Sequence, residues 1–564
     1  MHAPDPEGNL RIEAQALFSQ PSRGGFLPVR VTVSNKTKNA GTVKLHCVSS
    51  ASGYRAAESQ VESDFSIKGE AEKTISQDIL VPLFNAGSRN TSESIRVQMS
   101  GSFGEAQGSL NVDGIDGKPA VLLSEPLYTK NASALDSQAA TKVTGSGSRY
   151  GHFSFAAKFD PRQLPEDWRA YSGYDAIAMT DSDWSAVTPG ARNAIMQWNR
   201  LGGRLVIYVD GAADLKSLGI KTDPSGGRSM GQVTTLPLPA AMTLAPVETV
   251  DFFYGVKPRE LPKPFHQSIN EDYSSSSVWP LQSLFGEKSF HYAVFVIVLI
   301  VFAILVGPVN LFVFAKSGRR HRLFITTPLI ALGASAVLMM LIFFEDGFGG
   351  RGMRLVLMEV RPDNGENSAY INQEQISRTG VLLGSSFEMK GQAMITPVRM
   401  DPSNWSRYTN DSGVGSRFEI QAVDGNLKVQ GDWFQSRSEQ GQALEAVMPT
   451  RGRIEARSES GAPVLLSTFD FPIRTLWYTD PSGAIWKAEN ITAGKAFTCS
   501  QGDASERNLE LKRMSESLRR KADGLFDRKG SFVAVTDEAP AIETFSHIAW
   551  KQTHTVITGP IAAP

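Results

Sequence analysis

From Phe26 to Asn35 the chain alternates, with Leu27, Val29, Val31 and Val33 on one side and Arg30, Thr32 and Ser34 on the other. A strand has this period of two because successive side chains point to opposite faces. After a polar turn over Asn35–Gly41, the alternation resumes at Val43, Leu45 and Cys47. It returns at Ile79, Val81 and Leu83, at Ile95, Val97 and Met99, and at Leu110 and Val112. Short strands joined by turn-rich connections predict an immunoglobulin-like β-sandwich over residues 1–115.

The pattern changes over residues 116–250. Ala120–Ser124 and Tyr174–Thr180 are near-continuous apolar runs, expected of strands buried on both faces. A helix follows the second run. Thr188 is placed to cap it, Pro189 fits its first position, and Gly202-Gly203 ends it. Ala191, Ala194, Ile195 and Trp198 share one of its faces, and Arg204–Asp210 reads as the next strand. Strand, helix and strand with short links predict a parallel sheet covered by helices.

Two runs, 291–315 and 323–344, contain no Asp, Glu, Lys or Arg. Each exceeds the roughly 20 apolar residues that span ~30 Å of hydrocarbon, so residues 290–345 are expected to form a transmembrane helical hairpin. Gly307-Pro308-Val309-Asn310 interrupts the first run. Proline kinks a helix there, and Asn310 is expected to bond to the partner helix at Thr326 or Thr327. The short link holds Lys316, Arg319, Arg320, His321 and Arg322. Short basic loops stay cytoplasmic, which puts both flanking parts on the extracytoplasmic side. Residues 251–289 read as a connector, with Trp279 and Phe285 placed as interfacial aromatics.

Residues 346–564 return to short apolar or alternating runs. They occur at Arg354–Arg361, Val381–Leu383, Met394–Val398, Phe418–Ile420, Leu427–Val429, Val464–Thr468 and Leu476–Tyr478, with a turn at Asp480–Gly483. A second β-sandwich is expected, with one long helix from Ser505 to Leu525 and closing strands at Ser531–Val535 and His554–Thr558. Leu509, Leu511, Met514, Leu518 and Leu525 form the apolar side of that helix. The predicted class is thus a multidomain membrane protein combining α/β and all-β parts.

Lys plus Arg (57) balances Asp plus Glu (58), so no net field favours nucleic acid. The two cysteines, Cys47 and Cys499, are too far apart for a metal or redox motif; they either bridge the first and last domains or lie buried as free thiols. Met1–Gly8 has neither a basic nor an apolar leader region, so export implies a signal peptide removed or replaced by an initiator Met. The eight histidines lack ligand spacing, and no cofactor is expected. Asp181 and Asp183 stand where a parallel strand ends and a helix begins. They are candidate ligands for Mg²⁺ or Ca²⁺, or ordinary turn and helix-start residues.

The run Tyr174–Gly211 resembles the core of class I glutamine-amidotransferase-like domains, which are flavodoxin-like α/β modules. The resemblance implies that fold. It also places a nucleophilic Cys after the strand Leu205–Val209, where this chain has Asp210-Gly211-Ala212-Ala213. Amidotransferase chemistry therefore lacks its nucleophile. Gly307–Asn310, Arg319-Arg320 and Thr326–Pro328 are further similar to the hairpin of a group of bacterial envelope proteins. That resemblance implies a two-pass protein of the bacterial inner membrane, with the lipid bilayer and other envelope proteins as partners. The expected function is a non-catalytic scaffold or accessory subunit. A metal-dependent ligand sensor or envelope hydrolase using Asp181 and Asp183 is the alternative.

Overall fold

Seven strands open the chain: β1 (Leu10–Ala16), β2 (Phe26–Asn35), β3 (Gly41–Ala51), β4 (Ser59–Gly69), β5 (Lys73–Pro82), β6 (Ser92–Gly101) and β7 (Ala106–Asp113). In this computed structural model the described residues are 10–19, 25–51, 59–84, 92–102, 104–113, 119–143, 154–211, 215–220, 229–255, 279–286, 292–315, 317–361, 367–398, 416–423, 425–458, 461–522 and 524–562. Met1–Gly8, most of the connector (256–278), Ala212-Ala213 and Lys316 therefore lie outside them. Strands β1, β2 and β5 form one antiparallel sheet, and β3, β4, β6 and β7 belong to a second. Leu27, Val29, Val31 and Val33 share a core with Val43, Leu45 and Cys47, so the alternation seen in the sequence is the inward face. The outward face is held by polar cross-strand pairs such as Thr32 with Ser76 (2.9 Å) and Arg30 with Asp78 (2.7 Å).

Five parallel strands follow: β8 (Val121–Ser124), β9 (Ala156–Phe159), β10 (Ala176–Thr180), β11 (Arg204–Val209) and β12 (Gln232–Pro237). Their helices are α1 (Glu125–Val143), α2 (Asp181–Ala186), α3 (Pro189–Arg200) and α4 (Pro246–Tyr254). The spatial order is β12-β11-β10-β8-β9. Alternate residues supply two cores. Leu122, Ile177, Met179 and Ile207 pack with Ala194, Ile195 and Trp198 of α3. Val121, Leu123, Ala178 and Val206 pack with Leu127 and Leu135 of α1 and Phe253 of α4. Thr188 caps α3 through the Ala191 N–H with Pro189 at its first turn. Gly202 follows at φ +119°, a conformation other residues adopt only with strain.

After α5 (Pro280–Phe285), two helices long and apolar enough to cross a membrane form a hairpin. The first, α6 (Tyr292–Ile304), widens into π-helix over Leu305–Phe314, where Pro308 supplies no N–H. The second, α7, covers Leu323–Asp346. Side chains such as Phe312 and Phe324 are largely exposed. Asn310 is buried between the helices. Its amide donates to Thr327 Oγ1 (2.9 Å), and its carbonyl accepts from Thr326 Oγ1 (2.6 Å). One amide thus satisfies both hydroxyls at the contact between the two helices.

The remaining strands are β13 (Gly350–Arg361), β14 (Ser368–Thr379), β15 (Phe387–Met389), β16 (Ala393–Val398), β17 (Arg417–Val423), β18 (Asn426–Gly431), β19 (Glu439–Pro449), β20 (Ile454–Ser458), β21 (Val464–Ser467), β22 (Ile473–Thr479), β23 (Ile485–Ile491), β24 (Ala496–Thr498), β25 (Ser500–Gln501), β26 (Ser531–Thr536) and β27 (Ile548–Pro560). Nine of them make the largest sheet, in the order β16-β19-β14-β13-β27-β26-β22-β23-β25. Strands β20, β21 and β24 make a small one.

Three departures from the sequence reading have local or packing causes. The stretches Phe418–Ile420 and Leu427–Val429, read as part of the C-terminal domain, extend the N-terminal sheet instead: β17 pairs in parallel with β4, giving the order β15-β18-β17-β4-β3-β6-β7. Arg417 seals this junction by pairing with buried Glu62 at 2.6 Å. The single helix expected over Ser505–Leu525 is two, α8 (Ala504–Leu511) and α9 (Glu516–Lys521). The Ser515 hydroxyl accepts from Leu518 N–H and starts a new helix, while Leu511, Met514, Leu518 and Leu525 still share one core. Val381–Leu383 is a loop with a single bridge to Phe348, because Gly380 turns to bond Gly349 O.

Candidate functional site

The parallel sheet grows from β8 to β9 in one direction and then from β8 to β10 in the other. In open α/β sheets ligands bind beyond the carboxyl ends of the strands at such a reversal. Here that place is formed by Ser124, Thr180 and the first turn of α2. Asp183 Oδ2 accepts from Ser124 Oγ (2.6 Å) and from Thr180 N–H (3.1 Å), while Asp183 N–H donates to Thr180 Oγ1 (3.0 Å). These bonds complete a capping box on α2 and tie the end of β8 to that of β10. Asp181 accepts from Ser182 N–H (2.8 Å) and, through its other oxygen, from Asp210 N–H (3.2 Å) beyond β11.

The two candidate metal ligands are thus brought together, but their carboxylates pin three strand ends. Among the described residues no group of three or more His, Cys, Asp or Glu could hold a metal ion. Ser124 is wholly buried with its hydroxyl on Asp183. Gly211, in the turn after β11, takes a left-handed conformation (φ +85°).

A second polar cluster lies inside the nine-stranded sheet. Strand β14 reads Ser-Ala-Tyr-Ile-Asn-Gln-Glu-Gln-Ile-Ser-Arg-Thr, and nearly all of it is buried. On one face, Glu374 accepts from Trp279 Nε1 (3.2 Å) and from Ser517 Oγ of α9. Burial pushes the Glu374 carboxyl above the usual carboxylate range, opposed by hydrogen bonds from Ser517, Ser515 and Trp279. Asn372 and Glu445 are cross-strand neighbours, and Lys521 of α9 bonds both, reaching Glu445 at 2.7 Å. Glu359, fully buried, pairs with Arg361 (2.7 Å) and accepts from Met230 N–H (3.1 Å) of the parallel-sheet part. On the other face Gln373 exchanges two bonds with the Ile542 backbone (2.8 and 3.0 Å), acting as a surrogate peptide.

Trp279 is therefore buried against the sheet and is not an interfacial aromatic, and Phe285 is half-buried with the Arg378 guanidinium 4.8 Å over its ring. The run Asn-Gln-Glu-Gln in a strand was the available signal for this cluster. It fits neither an alternating nor an apolar template, so periodicity passes over it. Chemically the cluster is a lock. Each buried carboxylate is matched by a cation or by hydrogen-bond donors, Trp279 and the Ser517 and Lys521 side chains of α9 among them.

Phe26, Phe84, Asp175, Met394, Phe418 and Trp433, from segments far apart in sequence, line a cavity of about 40 Å³. Cys47 and Cys499 lie in separate cores as free thiols, and burial pushes them up to about 12 and about 11.

No family model and no curated relative matches this chain. Among solved structures, it is similar to the E. coli curli protein CsgC at 15% identity, over 18% of this chain and 97% of that one, with a TM-score of 0.12. R. palustris CsgH is similar at 18% identity, over 18% and 91% of the two chains, also with a TM-score of 0.12. A Paenibacillus cycloisomaltooligosaccharide glucanotransferase matches 39% of this chain and 30% of its own at 13% identity, with a TM-score of 0.17. At these scores none of them assigns a fold or an activity.

Proposed function

We propose that this chain is a non-catalytic, membrane-anchored scaffold or accessory subunit of a bacterial envelope complex, binding a partner through its β-rich parts. The observation that carries the reading is how the hairpin is mounted. Upstream, α5 is clamped to β14 through Trp279–Glu374 and the Arg378 bond to Gly286 O (2.6 Å). Downstream, α7 runs within a few residues into β13, which pairs with β14 along its whole length. Both roots of the anchor thus end in one sheet, which suits a rigid platform held at a membrane. The basic link Arg319–Arg322 favours a two-pass orientation in the inner membrane with both soluble parts extracytoplasmic.

Residues 1–115 are read as an immunoglobulin-like sandwich, 116–250 as an amidotransferase-like module and 346–564 as a C-terminal β-sandwich domain. For the module the support is the strand order: numbered along the chain the sheet runs 2-1-3-4-5, the flavodoxin-like arrangement. The absence of any Cys from 116–250 and the internal use of Asp181 and Asp183 favour a binding role over catalysis. The test is crosslinking in native membranes followed by mass spectrometry of what co-purifies. A stoichiometric envelope protein supports the reading and names the pathway; a chain recovered alone overturns it.

A further inference from the structure

Outside the hairpin, six large apolar side chains stand exposed among the described residues: Val247, Leu284, Phe348, Leu383, Val423 and Leu509. Three of them gather at the hairpin roots. Leu284, 55% exposed, lies on α5 just ahead of the first membrane helix. Phe348, 67% exposed, comes two residues after Asp346, the last residue of α7. Leu383, 93% exposed, is distant in sequence but tied to the same place. Gly349 N–H donates to Val381 O (3.1 Å), Val381 N–H to Gly347 O (2.9 Å) and Gly380 N–H to Gly349 O (2.7 Å). The α5 end joins them through Arg378, which faces Arg351 across the β13–β14 ladder.

We infer that Leu284, Phe348 and Leu383 form a collar that inserts into the interfacial layer of the bilayer, so that the base of the nine-stranded sheet rests on lipid. The inference depends on the hairpin crossing a membrane, as proposed above. Its ground is distance. Helix α7 has 24 residues, about 36 Å long against a hydrocarbon layer of ~30 Å, so its ends reach headgroup level. Two residues add at most ~7 Å, which keeps Phe348 within or beside the headgroup layer. Leu383 is the same chain distance beyond Val381, which bridges Phe348. Side chains this apolar and this exposed, two residues beyond a helix of membrane-spanning length or bonded to that segment, have acyl chains as their nearest apolar medium. The bilayer is thus the partner that fits, and no protein surface is needed to cover them.

The test uses the full chain in vesicles of phosphatidylcholine and phosphatidylglycerol, with a nitroxide attached to Phe348→Cys or Leu383→Cys. Buried Cys47 and Cys499 leave the native thiols unlabelled. Val301→Cys reports the hairpin, and Val423→Cys, at the far end of the β17–β18 ladder, reports an exposed apolar site away from the roots. Power saturation is expected to give an oxygen-to-nickel accessibility ratio at 348 and 383 about threefold above that at 423. A lipid signature at 301 with a water signature at 348 and 383 overturns the collar and leaves the membrane hairpin standing. A water signature at 301 as well overturns both.

Discussion

Trp279, ahead of the first helix of the apolar hairpin, donates its indole N–H to the carboxylate of Glu374 at 3.2 Å in the interior of the nine-stranded sheet. Trp279→Phe keeps most of the ring packing and removes the bond. It is expected to cost about 1–2 kcal/mol of stability, read by denaturant unfolding of the chain in mild detergent.

The same carboxylate predicts a pH dependence. Burial raises the Glu374 value in the folded state. A raised carboxyl binds its proton more tightly when folded, so its stabilising share is full below the unfolded value and is lost as pH rises through the folded one. The stability margin of the native chain over Glu374→Gln should therefore narrow as pH rises through that window. A margin that widens would contradict the assignment.

Lys521 bridges Glu445 and Asn372 beneath α9. Lys521→Met removes the cation bonded to buried Glu445, which is expected to cost about 3–5 kcal/mol. Adding Glu445→Leu should recover much of the loss. The measurement is a double-mutant cycle on unfolding free energies.

At the end of the parallel sheet, Asp183→Ala removes the acceptor for Ser124 Oγ and Thr180 N–H, and about 2 kcal/mol of stability should go with it. Because Asp181 and Asp183 are spent on these bonds, Mg²⁺ or Ca²⁺ should leave the unfolding midpoint where EDTA leaves it. A rise of several degrees with either ion would restore the metal-sensor reading.

In the hairpin, Asn310→Leu removes the bonds to Thr326 and Thr327. Interhelical bonds of this type are worth roughly 0.6 kcal/mol each and at most about 1.7, so a loss of about 1–2 kcal/mol is expected. Unfolding of the reconstituted hairpin by steric trapping would read it.

The hairpin, the α3 helix with its Thr188 cap and the inward face of β2 were all legible in the sequence, as was the Asn310 pairing. Each depends on neighbours a few residues apart or on one unbroken apolar run, and such patterns survive in a linear string. At the candidate site, the sequence located Asp181 and Asp183 at a strand end. It could not say that their oxygens were already taken by Ser124, Thr180 and Asp210.

The rest was decided in three dimensions. Strand β17 pairs with β4, joining Arg417 to Glu62 across most of the chain length. Nothing near either residue announces that pairing. The burial of Trp279 and the polar strand β14 have the same origin. Trp279 reads from the sequence as an interfacial aromatic and the Asn-Gln-Glu-Gln run carries no period, whereas in the fold Ser517, Lys521 and Met230 arrive from distant segments to bond this cluster. Local periodicity records which face of an element is apolar. Which polar groups can be buried depends on partners that only the folded chain brings within hydrogen-bonding distance.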